Sequence, residues 1–198
     1  MSTNFTRDLY DHAIPSWTEH VVPVVSGVEN AHWLEVGCFE GRSALWTLDH
    51  ILTGKGATIT CVDAWETPWS RWLKGLGPGE QLFDANMKGR TNVIKCKGRS
   101  AAILPSLATN SYHGAYIDAD HWEAAVYRDA LMVWPLLRVG AVLIFDDYGE
   151  GDIPPGGGPC PEVKPAVDRF WKEHSENLIL LHKQWQVIFR KQGDNHGR

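Results

Sequence analysis

The sequence predicts an α/β fold, a mostly parallel sheet of seven strands with helices on both faces, and three observations carry that prediction. Apolar runs of about five to seven residues alternate with longer segments of helical period, as crossover connections between parallel strands require. Each of the first five runs carries glycine or an acidic residue within its last two positions, the usual content of the ligand-binding edge of an open α/β sheet. The last two β-rich runs are separated by only three residues, too few for a crossover helix, so they must lie antiparallel to each other.

In chain order, residues 1–30 read as a helical segment ahead of the first strand, 31–192 as one domain, and 193–198 (GDNHGR) as a frayed tail. The strands are expected at 32–38 (HWLEVGC), 58–64 (TITCVDA), 93–98 (VIKCKG), 114–119 (GAYIDA) and 141–147 (AVLIFDD). Between them, 42–52, 79–88, 100–107 and 122–137 carry apolar residues at intervals of three and four and are expected to be helices packed on the sheet. A Gly/Pro-rich stretch at 149–161 leads into a helix over 162–174 and the closing strands 178–182 and 186–190.

Composition narrows the function classes. The 198 residues carry 19 Lys and Arg against 24 Asp and Glu, a formal charge of −5, which argues against a nucleic-acid or acidic-membrane partner. No apolar stretch approaches the length of a bilayer span, and the first residues carry charges where a signal peptide would be apolar, so a soluble cytoplasmic protein is expected. Cys38, Cys61, Cys96 and Cys160 form no CxxC pair and no metal-finger spacing, and are expected to be reduced thiols.

The first strand ends in Glu35-Val36-Gly37-Cys38-Phe39-Glu40-Gly41. A dinucleotide-binding turn would read GxGxxG, but Phe39 and Arg42 stand at its second and third glycine positions, and Phe39 would fill the space of a diphosphate. About 28 residues on, the second strand ends in Asp63, placed to accept hydrogen bonds from ribose hydroxyls. The third strand ends in Gly98-Arg99-Ser100, the fourth in Asp118 and the fifth in Asp146-Asp147. An acidic glycine turn followed by polar strand ends is a constellation rather than a lone match.

Taken together, LEVGCFEG, CVDAWE, YIDADHWEAAVYRD and GAVLIFDDY resemble the class I S-adenosylmethionine (SAM)-dependent methyltransferases, Rossmann-like enzymes. Within that class the chain is similar to the small metal-dependent O-methyltransferases of the catechol and caffeoyl-CoA type. In motif wording it is closest to a bacterial group whose fourth strand reads IDxDH and whose fifth ends in DDY. The resemblance covers roughly residues 30–190. It implies that Glu35, Gly37 and Gly41, with Ser43, cradle the methionine part of the cofactor, that Asp63 holds the ribose, and that Trp65 and the Arg99-Ser100 turn lie along the adenine. SAM carries no phosphate, which agrees with a bulky residue at position 39.

Neighbouring fourth and fifth strands would bring Asp118, Asp146 and Asp147 to one edge, a hard-oxygen set suited to Mg²⁺, and the resemblance implies the same ligands. Adjacent strand residues point to opposite faces, so both Asp146 and Asp147 can serve only if the strand ends between them. A pair of solvated strand-end carboxylates is the rival reading. Asp120-His121-Trp122-Glu123 has the form of a capping box with Asp120 as N-cap. His121 would then open the helix, where the dipole keeps its ring neutral, and the resemblance makes it the general base, with a structural hydrogen bond as the alternative. Trp65, Trp69 and Trp72 are spaced to share one helix face and are read as an aromatic cover over the site. The reaction implied is transfer of a methyl group to a hydroxyl oxygen of a small molecule. A metal-dependent hydrolase using the same aspartates and a non-catalytic SAM binder remain as alternatives, and a homodimer is open.

Overall fold

A computed structural model describes residues 4–6, 9–65, 79–151 and 160–194 of the chain. The sheet has seven strands: β1 (His32–Val36), β2 (Thr58–Asp63), β3 (Val93–Lys97), β4 (Tyr112–Ile117), β5 (Leu137–Phe145), β6 (Leu178–Lys183) and β7 (Val187–Lys191). Their order is β3-β2-β1-β4-β5-β7-β6. The first five are parallel, and β7 enters antiparallel to both β5 and β6. The chain turns outward from β1 in both directions, so the switch point at which an open α/β sheet binds its ligand lies between the ends of β1 and β4.

Among the described residues seven helices cover the sheet: α1 (Ile14–His20), α2 (Val22–Val25), α3 (Arg42–His50), α4 (Gly79–Asn86), α5 (Ser100–Ile103), α6 (Glu123–Val133) and α7 (Val163–His174). Strand alternation sorts the core into two layers. Leu34, Val36, Ile117, Leu143 and Phe145 face α6 and α7, whereas Trp33, Tyr116, Val142 and Ile144 face the other side with Trp17 of α1 and Trp46 of α3. In α7, Val163, Ala166, Val167 and Phe170 recur at three and four residues and are all buried; burying the Phe170 ring alone contributes about 2–3 kcal/mol. Among the described residues no helix is long and apolar enough to cross a membrane. None of the four cysteines is in a disulfide.

Several boundaries differ from the sequence expectation, each for a local reason. The helix expected over 122–137 stops at Val133 and tightens into a 3-10 turn, Trp134–Leu136, where Pro135 has no N–H to give. β5 consequently starts at Leu137, four residues early, and Gly140 takes a φ of +90° where its pairing with β4 shifts register. Pro105 likewise turns the end of the 100–107 segment into a 3-10 turn, Leu104–Ser106. β1 ends at Val36 because Gly37 leaves the extended region with a φ of +90°. Trp69 and Trp72, most of the 149–161 loop and the last four residues of the tail lie outside the described residues.

Candidate active site

The strand register decides which polar side chains meet. Glu35 pairs with Tyr116 across β1 and β4, and Tyr116 with Ile144 across β4 and β5. With a period of two, Glu35, Tyr116, Asp118 and Asp146 therefore belong to one face of the sheet, the face covered by α1 and α3.

Glu35 has no exposed surface. Ser43, in the first turn of α3, donates its hydroxyl to Glu35 Oε1 at 2.7 Å, whereas Oε2 is buried with no hydrogen-bond partner. Such an orphaned carboxylate oxygen is costly, and burial, with the Asp118 and Asp63 charges adding to it, pushes its carboxyl up to about 8. An ammonium group set against Oε2 would remove the cost, which is the fit expected of the amino-acid end of SAM. A group whose folded value lies above its unfolded value stabilises the fold fully below the unfolded value and loses that contribution as the pH rises through the folded one. Wild-type stability is therefore expected to fall between about pH 4.5 and 8. Glu35→Gln should flatten that slope in denaturant melts across the range; parallel slopes in the two proteins would place the Glu35 proton elsewhere.

Gly37 and Gly41 stand where the turn was expected, but the contacts that require them come from the protein. A Cβ on Gly37 would lie 1.9 Å from the Asp118 carbonyl oxygen, and one on Gly41 would lie 2.5 Å from the Met87 side chain; both residues have positive φ. Asp63, expected to hold the ribose, is also engaged by the protein itself. Its Oδ2 accepts the N–H groups of Cys38 and Phe39, each at 2.8 Å, and its Oδ1 accepts that of Trp65 at 2.6 Å. One carboxylate thus ties the first turn to the end of β2, leaving it part of its lone-pair capacity for a ligand. Trp65 folds back over this turn, donating its ring N–H to the Phe39 carbonyl at 2.8 Å and packing on Phe83. Ser100 gives its hydroxyl to Asp129 at 2.8 Å, and Arg99 is exposed at the head of α5.

At the end of β5, the residue pair that strand geometry made difficult is resolved by the backbone. β5 ends at Phe145, and Asp147 adopts a φ of +54°, a conformation that aspartate tolerates better than most residues. Asp146 stays on the sheet face and is nearly buried: Oδ2 accepts the Tyr116 hydroxyl at 2.5 Å, and Oδ1 accepts Gln186 Nε2 at 3.1 Å and the Asp147 N–H at 2.8 Å. Asp147 turns outward, with Oδ1 accepting the Trp185 ring N–H at 3.1 Å and Oδ2 lying 2.7 Å from His121 Nε2. The Tyr116 hydroxyl is also 3.2 Å from Asp118 Oδ2. Burial and the Asp146 charge raise the Asp118 carboxyl to about 7, and burial with the Asp147 charge raises Asp146 as well.

The capping box does not form. α6 opens at Glu123 after an uncapped Trp122; Asp120 accepts the Trp122 N–H at 3.2 Å, and the Glu123 N–H goes to Glu162 at 3.2 Å. His121 therefore precedes the helix by two residues, outside the reach of its dipole, and the reason for expecting a neutral ring disappears. Burial works against its charge, but the Asp118 and Asp147 carboxylates outweigh burial and raise the imidazole to about 10. The two carboxylates thus favour the imidazolium. Among the described residues, the His, Cys and carboxylate ligand atoms that converge in a trio within 4.8 Å belong to His121, Asp147 and Cys160, not to Asp118, Asp146 and Asp147.

A cleft of about 260 Å³ opens beside these carboxylates, between residues 12–19 and the β6–β7 turn. Its residues Trp185 and Gln186 are the ones that hold Asp147 and Asp146, and His12 Nε2 lies 4.0 Å from Asp146 Oδ1. Tyr116, Gln186, Trp185 and His12 were not foreseen from sequence. Tyr116 carried a usable signal, being two residues before Asp118 and so on its face; the other three reach the site only through long-range packing.

The strand order, the switch point and the acidic glycine turn together define the class I methyltransferase fold. A protein family described as Methyltransferase domain matches residues 34–148, more than half of the chain, and the chain belongs to that family. No curated protein sequence matches at a significant level. Among solved structures, the O-methyltransferase NovP shares 18% identity, with a TM-score of 0.68 over 90% of this chain and 80% of its own. An O-methyltransferase from Bacillus cereus in complex with SAH shares 17%, with a TM-score of 0.62 over 94% and 84%. The O-methyltransferase TomG from Streptomyces achromogenes, in complex with SAM, shares 18%, with a TM-score of 0.58 over 82% and 73%. At these identities the likeness establishes the fold.

Proposed function

We propose that this protein is a SAM-dependent O-methyltransferase acting on a small hydroxyl-bearing acceptor with the help of a divalent cation. The observation that carries the reading is the pairing, on one sheet face, of the orphaned Glu35 Oε2 at the switch point with a crowd of carboxylates and a histidine at the ends of β4 and β5. A non-catalytic binder has use for the first and none for the second. The O-methyltransferase relatives named above support the same class of acceptor.

SAM, when bound, supplies a methyl group on a positively charged sulfur. Glu35 receives the amino-acid ammonium and gives up its own proton as it does so. Ser43 holds Oε1 of that carboxylate and leaves Oε2 for the ligand, and Asp63 holds the first turn in the shape that admits it. The acceptor enters through the cleft between His12 and Gln184, beside the residues that hold Asp146 and Asp147. Its hydroxyl proton passes to His121 Nε2, which must first be neutral. A divalent cation such as Mg²⁺, held by Asp118 and Asp147 with Asp146 behind them, would offset the carboxylate charge that now keeps the ring protonated. Asp146 is the least open of the three, being hydrogen-bonded at both oxygens.

Chelation of divalent ions is expected to abolish methyl transfer without unfolding the protein, and Asp118→Asn to raise the Mg²⁺ concentration needed for half-maximal rate. Activity at full rate in excess chelator would confine the aspartates to structural work.

A further inference from the structure

We infer that His121, Asp147 and Cys160 form a binding site for a zinc-class divalent cation, which shares Asp147 with the Mg²⁺ reading but adds a nitrogen and a sulfur ligand, and that zinc bound there blocks proton transfer by His121. The three donor atoms lie within 4.8 Å of one another and are of three kinds, one imidazole nitrogen, one carboxylate oxygen and one thiol sulfur. A thiolate is foreign to Mg²⁺ chemistry, which takes oxygen ligands, whereas zinc accepts sulfur at about 2.3 Å and nitrogen or oxygen at about 2.0–2.2 Å. Donors held that way stand three to four ångströms apart. Small side-chain rotations therefore suffice, chiefly opening the 2.7 Å contact between His121 Nε2 and Asp147 Oδ2.

The surroundings fit a built site. Trp185 Nε1 holds the other Asp147 oxygen at 3.1 Å, leaving Oδ2 aimed at His121, the kind of outer hydrogen bond that orients a metal ligand. Asp118 Oδ1 lies 3.8 Å from His121 Nε2, within reach of a fourth position that water could equally fill. His121 is 46% exposed, so an ion can enter from solvent. Binding displaces the thiol proton of Cys160 and any proton on Nε2 to solvent, and the Nε2 lone pair then serves the metal. The loss of turnover rests on the function proposed above; the binding does not.

The test is titration of metal-free protein with Zn²⁺ against a chromophoric chelator, paired with Co²⁺ substitution read by absorbance. The expected result is one equivalent bound, a near-ultraviolet thiolate-to-cobalt band, and affinity at least 100-fold weaker in Cys160→Ser and in His121→Asn. Zinc should also shield Cys160 of the unmodified protein from alkylation, mapped by mass spectrometry, a readout independent of how the variants fold. Absence of the cobalt band, or zinc affinity and alkylation rate unmoved by these changes, overturns the site. In methyl-transfer assays with Mg²⁺ present, Zn²⁺ should inhibit the wild type at least 10-fold more strongly than Cys160→Ser. Equal inhibition would overturn the blocking role. A protein with the cobalt band and no transfer to any hydroxyl would leave the zinc site standing and sink the O-methyl reading instead.

Discussion

Replacing Gly37 with alanine is expected to destabilise the protein by about 3 kcal/mol or more and to abolish measurable cofactor binding. Two costs combine. The residue sits at a φ of +90°, which an L side chain adopts with strain, and the added Cβ would meet the Asp118 carbonyl oxygen at 1.9 Å and the Ala119 Cα at 2.7 Å. Those atoms are backbone at the end of β4, fixed by the Asp118 N–H to Val36 carbonyl bond at 2.8 Å, so they cannot swing aside as a side-chain tip could. The strain would pry β1 from β4 at the switch point, separating Glu35 from Asp118. Thermal unfolding should show a midpoint lower by roughly 6–12 °C. Calorimetry with SAH should show at least a 100-fold loss of affinity. A variant with wild-type melting and binding would mean that the turn relaxes without involving β4. Gly149, whose Cβ would approach little beyond a 3.7 Å contact, offers a control for positive φ alone.

The second large effect concerns His121. His121→Asn should lower turnover about 100-fold while leaving SAM affinity within a few-fold, since the ring is paired with Asp118 and Asp147, whereas Glu35 is held by Ser43. The acid limb of the pH-rate profile should vanish with it. The electrostatics add a sharper measurement. With the Asp118 and Asp147 charges uncompensated the imidazole titrates near pH 10, and a divalent cation among those carboxylates should bring it down toward its ordinary value. Nuclear magnetic resonance of the ring protons, assigned by difference against His121→Asn, would follow that shift during a Mg²⁺ titration. A ring that titrates near neutrality without any cation, or one that Mg²⁺ leaves unmoved, would remove the ion from the activation of His121. Turnover unchanged in the variant would reduce His121 to a partner of Asp147.

Much of this architecture could be read from the chain before any coordinate. Continuous apolar runs such as 141–145 announce strands buried on both faces, and a three-residue gap before β7 forces a hairpin; both follow from backbone geometry that acts locally. The strand-end residues could be named for the same reason, because a parallel sheet places every carboxyl end on one edge. What sequence spacing could not supply was the state of each of those groups. The Asp120–Glu123 spacing fits a capping box, yet Glu123 gives its N–H to Glu162, a residue 39 positions away that only the packing of α7 brings near. Asp63 has the expected place, but three backbone N–H groups compete for its oxygens once the first turn closes on it. The charge of His121 depends on the left-handed turn at Asp147, which swings one carboxylate onto the ring while Trp185 from the final hairpin holds its other oxygen. Local periodicity determined the class of fold and which residues line its edge. Protonation, hydrogen-bond occupancy and ligand grouping were decided by contacts between segments far apart in sequence, because the electrostatic environment of a side chain is a sum over neighbours in space.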